Sequence, residues 1–157
     1  MEKTNSMRLL DQRGVDYEVF TFSPDIHSAL GVAEVTGFQP QEVFKTLVVM
    51  RPNGKAFLVI APGDGELNLK KVAAAVGERK VAMASQRDAE SITGLQVGGI
   101  SALALLQKGL PVYIDRSATQ HERILVSAGK RGVNLRLKSD DLIRIVKARV
   151  IDASGEV

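Results

Sequence analysis

Residues Val43–Met50 read VFKTLVVM, and they are followed, after Arg51-Pro52-Asn53-Gly54, by Lys55–Ala61, KAFLVIA. Asn-Gly between two apolar runs is a strong hairpin signal, because both residues tolerate the positive φ of a tight turn. The two runs are therefore read as paired strands. Side chains alternate along a strand. Phe44, Thr46, Val48 and Met50 fall on one face, and Lys45, Leu47 and Val49 on the other. Apolar residues on both faces place this strand in a sheet covered on both sides. Lys45 is the exception. A half-buried ammonium is unfavourable unless an anion or carbonyl-like group meets it. The commoner arrangement is a packed stem with the ammonium reaching water.

Outward from this hairpin, short elements alternate. Thr4, Asn5 and Ser6 offer caps for a first helix ending near Gly14, and VDYEVFTF (15–22) reads as a strand. Ser28 caps a helix that stops at Gly37, and Pro40 opens a helical turn into the Lys45 strand. Asn68 caps an amphipathic helix ending at Gly77, and KVAMA (80–84) is a short strand. Ser85, with Asp88 three residues on, resembles a capping box before a helix ending at Gly94. LQVGGISALALLQKG (95–109) is a glycine-rich joint followed by an apolar stretch of undefined type. LPVYID, ERILVSA and VNLRL read as strands, and Ser139 or Asp140 caps a last helix. Many connections look too short for parallel crossovers. The expected fold is α/β: one compact domain over residues 1–152, with a mixed, mostly antiparallel, barrel-like sheet flanked by helices. Residues 153–157 are expected to fray.

Composition narrows the function. The chain has 157 residues, 45% of them hydrophobic and 25% charged, which suits one soluble domain with a full core. With no Cys, disulfides and protein thiolate nucleophiles are excluded, so any thiol in the chemistry comes from a substrate. His27 and His121 match no metal-ligand spacing, and no metal or cofactor is expected. A net charge of +3 mildly favours an anionic partner without marking a DNA binder. Aromatics at 4% argue against base-stacking platforms for single-stranded nucleic acid. No apolar run approaches about 18 residues, so no membrane span is expected and a cytoplasmic protein is the default.

Three stretches could carry chemistry. Lys45 is the first. VGGIS (97–101) is the second: adjacent glycines let backbone approach a ligand and aim N–H groups at an oxygen, or they simply make a tight bend. VSAGKRG (126–132) is the third, read as an anion clamp or as a basic hairpin turn; it lacks P-loop spacing. Asp140 and Asp141 suit helix capping, and Asp115 ends a strand. His121 and Glu122, adjacent on a strand, point apart.

Together and in this order, EVFKTLVV, TGLQVGGIS, KGLPVYID, SAGKRG and DLIRIV resemble the YbaK/EbsC family of aminoacyl-tRNA deacylases, which is similar to the editing domain of bacterial prolyl-tRNA synthetases. The resemblance spans nearly the whole chain. It implies a free-standing editing enzyme that hydrolyses cysteine wrongly attached to proline tRNA; other members of the superfamily clear alanine. The family's lysine falls on Lys45, where its ammonium would hold an ester oxygen or the terminal ribose. GGIS falls on Gly98, Gly99, Ile100 and Ser101, whose amides would face the aminoacyl carbonyl. Ser127, Gly129 and Lys130 would line the same cleft, and the family's aspartate before the last helix matches Asp141. Members often have a tyrosine after the threonine in the second strand; here Thr21 precedes Phe22, and the two are taken as substrate-binding candidates without that hydroxyl. The resemblance also implies attack by the substrate's own thiol, the enzyme mainly supplying position; water attack would look the same in sequence.

This chain departs from the family in three places. Ala102 stands where many members have proline after GGIS, and Phe22 where many have tyrosine. The stretch SPDIHSALGVAEV replaces a more acidic segment. The implied partners are aminoacylated tRNA(Pro) and prolyl-tRNA synthetase. An alternative is a non-catalytic tRNA- or synthetase-binding module presenting Lys70, Lys71, Arg79, Lys80, Lys130 and Arg131.

Overall fold

The structure, a computed structural model, describes residues 2–155. Its helices are α1 (Asn5–Gln12), α2 (Ala29–Thr36), α3 (Leu69–Val76), α4 (Gln86–Thr93) and α5 (Ser139–Val146). Thr4, Ser28, Asn68 and Ser85 cap the first four, each side-chain oxygen accepting an amide three residues on. Gly37, Gly77 and Gly94 end three of them in the left-handed conformation. α5 corrects the sequence reading. Its N-cap is Lys138, because the Ser139 hydroxyl is drawn off to donate to the His121 carbonyl at 2.6 Å.

The strands are β1 (Tyr17–Thr21), β2 (Phe44–Met50), β3 (Ala56–Pro62), β4 (Ala82–Met83), β5 (Val112–Asp115), β6 (Arg123–Ser127), β7 (Val133–Lys138) and β8 (Arg149–Ile151). β2 and β3 form the expected hairpin, in register from Phe44–Pro62 to Met50–Ala56. Gly54 takes φ +84° in the turn. The strands make two sheets, ordered β1-β7-β6 and β4-β2-β3-β5-β8. They meet at a single parallel bridge, Val43 to Leu125, and do not close into a barrel. Most pairings are antiparallel, as expected. β3–β5 and β5–β8 are parallel, each reached by a long excursion through other elements. β8 escaped the sequence reading because it is three residues long and largely exposed.

Alternation along β2 and β3 explains the two-sided apolar pattern. Phe44, Val48, Leu58 and Ile60 face the three-stranded sheet, packing with Ile124, Val126, Leu135 and Leu137. Val49, Phe57 and Val59 face the other way, under Val72 and Ala73 of α3. Burying each such side chain contributes about 1.5–3 kcal/mol. The stretch expected to fray is tied down through Gly155. Ala153 is fully buried, its carbonyl accepts the Asn68 amide at 2.8 Å, and the Asn68 side chain donates to the Gly155 carbonyl at 2.8 Å. Residues 156 and 157 lie outside the described residues. Among the described residues, no helix is long and apolar enough to cross a membrane.

Candidate active site

β2 enters its sheet at Phe44, beside the bridge that joins the two sheets. A cleft of about 380 Å³ opens there, a size typical of small-ligand sites. Its walls come from the first half of β2, the start of α2, the start of α4, the loop at 97–100, and Ser127 and Asn134 at the open end of the β6–β7 ladder. Val32, Val43, Leu47, Val48, Ala89 and Ile100 make much of the wall apolar.

Lys45 lines this cleft. It is half-buried, and its Nζ has one hydrogen bond, a long one of 3.4 Å to the Gly65 carbonyl. No carboxylate of the described residues pairs with it. An ammonium has three protons to give, so this one retains donors for a ligand. Its stem is held by a rigid strand, opposite Ala61 of β3.

The glycine loop is built for close approach. Gly98 has φ +91°, and a side chain there would lie 2.6 Å from Cβ and 2.8 Å from Nδ1 of His27. The imidazole therefore sits on the face of Gly98. A side chain on Gly99 would collide with the backbone of Lys130 and Arg131 at 2.8–2.9 Å. Arg131 Nε closes this clasp by donating to the Val97 carbonyl at 2.7 Å. The GGIS and GKRG loops are thus packed backbone to backbone. The Gly99 amide is bound to the Gln96 carbonyl at 2.8 Å, and the Val97 amide to Glu90 Oε2 at 2.8 Å. The amides of Gly98 and Ile100 make no hydrogen bond among the described residues. They are the loop's uncommitted donors.

Of the other residues singled out from sequence, Ser127 joins the cleft, its hydroxyl accepting the Gly129 amide at 3.2 Å. Gly129 (φ +109°) shapes the turn behind it. Lys130 is exposed and contributes backbone, not ammonium, to the clasp. Ser101 is buried away from the cleft, its Oγ 3.4 Å from that of Ser6 on α1. Thr21 lies exposed at the end of β1 opposite Val133. Phe22 packs against Val32, Val43 and Leu125, so it supports the wall without lining it. Asp141 is not in the cleft lining; its carboxylate pairs with Arg144 at 2.9 Å at the start of α5.

Sequence reasoning missed His27, Thr46, Gln86 and Asn134, all lining the cleft. Asn134 carries a legible signal in retrospect: a short polar residue inside a strand. It is only 6% exposed, and its side chain makes no hydrogen bond among the described residues. Lining the cleft, this amide is free to hydrogen-bond a ligand there.

The proposed basic surface is partly spent on structure. Lys71 holds Asp152 at 3.2 Å and the Ser154 carbonyl at 2.9 Å, and Arg131 holds Val97. Asp115 is buried at the end of β5. Burial, the largest single effect, would raise its pKa. Hydrogen bonds from Ser117, the Ala153 amide and Ser154 outweigh it and hold the carboxyl below its ordinary value.

Residues 23–145 match the family model of the aminoacyl-tRNA editing domain. The chain is 37% identical, over 94% of its length and 91% of the relative, to a protein of Enterococcus faecalis provisionally named a Cys-tRNA(Pro)/Cys-tRNA(Cys) deacylase, EbsC. It is 26% identical, over 92% of its length and 87% of the relative, to the Escherichia coli multifunctional Ser/Thr-tRNA deacylase ProXp-y. A 28% match over 70% of the chain corresponds to 19% of a proline–tRNA ligase of Shouchella clausii. Among solved structures, a candidate trans-editing enzyme for prolyl-tRNA synthetase superposes with a TM-score of 0.82 at 22% identity, covering 99% of this chain and 100% of that one.

Proposed function

The chain belongs to the aminoacyl-tRNA editing domain family, and from that premise we propose that it is a trans-editing deacylase that cleaves the aminoacyl ester of mischarged tRNA(Pro), with cysteine as the preferred group. The observation that carries this reading is Lys45: a half-buried lysine whose ammonium has a single long hydrogen bond, in a largely apolar cleft also lined by Gly98 and Ile100 with their uncommitted amides.

The terminal ribose or its ester oxygen binds Lys45, a charge-assisted contact. The aminoacyl carbonyl oxygen turns toward the amides of Gly98 and Ile100, which stabilise charge as it develops. The amino-acid side chain rests against the apolar wall. The small cleft acts as a second sieve, needed because a synthetase pocket separates similar side chains by only about 1–3 kcal/mol. The protein offers no thiol, and the Ser28 and Ser127 hydroxyls already accept backbone amides. The nucleophile in this reading is the substrate's own thiol or a water, and much of the acceleration comes from position. The partners are aminoacylated tRNA(Pro) and prolyl-tRNA synthetase, in the cytoplasm.

A deacylation panel of Cys-, Ala-, Ser- and Thr-charged tRNA tests the reading. Fastest release of cysteine from tRNA(Pro) is expected. Preference for alanine, or for serine and threonine as the name of the Escherichia coli relative states for that protein, reassigns the substrate. Salt-sensitive tRNA binding with no cleavage replaces the enzyme reading with a binding module.

A further inference from the structure

We propose that His27 is the general base of this deacylation, an inference that rests on the deacylase reading above. Its starting point is the composition of the cleft wall. The lining residues include one lysine, Lys45, and one histidine, His27. A lysine normally carries its proton at neutral pH, whereas an imidazole exchanges one there. Whichever nucleophile is used, thiol or water, a proton must leave it and another must reach the departing ribose oxygen. Among the lining side chains His27 alone suits both transfers.

The placement of His27 is fixed from both sides. Ile26 before it packs with the cluster of Val32, Val43 and Leu125. Ser28 after it is the N-cap of α2. The ring lies against Gly98, where any side chain would come within 2.6–2.9 Å of it. Gly98 also carries one of the uncommitted amides. The ring therefore packs on the residue that carries the donor for the carbonyl oxygen, and both residues line the cleft that holds Lys45. Charged residues near the ring include Asp25 in its own turn, Lys45 on β2, Glu90 of α4 at the Val97 amide, and Lys130 and Arg131, whose backbone lies behind Gly99. His27 is exposed at the cleft mouth, with no hydrogen bond among the described residues, so its nitrogens are available.

In the step, His27 takes the proton from the substrate thiol (or water). The sulfur or oxygen lone pair forms a bond to the carbonyl carbon, and the carbonyl π pair moves onto oxygen beside the Gly98 amide. On collapse the ester C–O bond breaks, its electron pair stays on the ribose oxygen, and the imidazolium returns its proton there. Water attack gives the free amino acid directly. Thiol attack gives a cyclic thioester that water then opens.

The test is the pH dependence of single-turnover Cys-tRNA(Pro) cleavage by the full chain and by His27→Gln and His27→Ala. The wild type is expected to show an acid limb, the rate falling as the imidazole is protonated. His27→Gln should lose that limb and about 10²-fold or more in rate at neutral pH, with KM little changed. Added imidazole should restore part of the His27→Ala rate. The proposal is overturned if His27→Gln keeps the wild-type rate within about threefold or keeps the acid limb, or if only KM rises. A wild type that cleaves no ester of the panel removes the deacylase reading itself, and this step with it.

Discussion

Lys45 and Asp115 sit at the same end of one sheet, on strands that flank β3, and they have opposite fates. Lys45 pairs across β2–β3 with Ala61, and Asp115 follows Ile114, which pairs with Ile60 of β3. Two strand spacings, roughly 10 Å, separate their backbones. Asp115 is 1% exposed, and the amides of Ser117 and Ala153 meet its oxygens at 3.1 and 2.8 Å. Lys45 is half-buried with one hydrogen bond of 3.4 Å. Asp115 is a charge taken out of water, which is unfavourable unless it is matched, whereas Lys45 stays partly exposed. At Asp115 the fold supplies the match, and the charge stabilises the C-terminal segment. At Lys45 the fold withholds it, and the unused protons face a cleft. A partnered charge marks architecture; an unpartnered one, on a rigid strand beside a cavity, marks a candidate site.

The largest combined effect, on rate and stability together, is expected from Gly99→Ala. Its Cβ has no room against the Lys130–Arg131 backbone, so the two loops must part. Deacylation should fall by about 10²-fold or more, and unfolding free energy by about 1–3 kcal/mol. Kinetics alongside thermal melting would show both. Asp115→Asn should lower stability by about 2–4 kcal/mol, read by denaturant unfolding, because it weakens charge-assisted hydrogen bonds in a buried place. Deacylation per folded molecule should not change.

The pH dependence of Asp115 has a definite sign. Its folded pKa lies below the ordinary 3.8, so its contribution is complete above that value and is lost as pH falls through the folded pKa. The wild type should lose stability below about pH 4, and Asp115→Asn should lose less over the same interval. Asn134→Ala should leave stability near wild type, since its amide has no partner to lose, and lower kcat/KM by about tenfold. The smallest change is expected from Ala102→Pro. The Ala102 amide donates no hydrogen bond among the described residues, so proline should raise stability by about 0.4–1 kcal/mol with activity unchanged.

Much of the fold was legible because its signals are local. Caps at Thr4, Ser28, Asn68 and Ser85, glycine stops, and the Asn53-Gly54 turn each act over a few residues. The parallel partners of β5 were not legible, because Leu58–Val112 and Tyr113–Arg149 contacts depend on long excursions of the chain. The buried Ala153 is similar: it is fixed by Asp115 and Asn68, far away in sequence. Of the cleft lining, Lys45, Gly98, Ile100 and Ser127 could be named from motifs. His27 and Asn134 could not, since each lies beside an element whose packing brings it to the cleft. Asp141 was attractive in sequence and is used instead by its own helix, through Arg144.

The most direct test of the account is the rate at which Lys45→Ala cleaves Cys-tRNA(Pro) in a single turnover, measured with its thermal midpoint. Loss of about 10²- to 10³-fold in rate at an unchanged midpoint is the expected result, since the ammonium has almost no partner in the fold and its proposed partner is the substrate. A variant that cleaves as fast as the wild type, or that loses activity only because it unfolds, would contradict it.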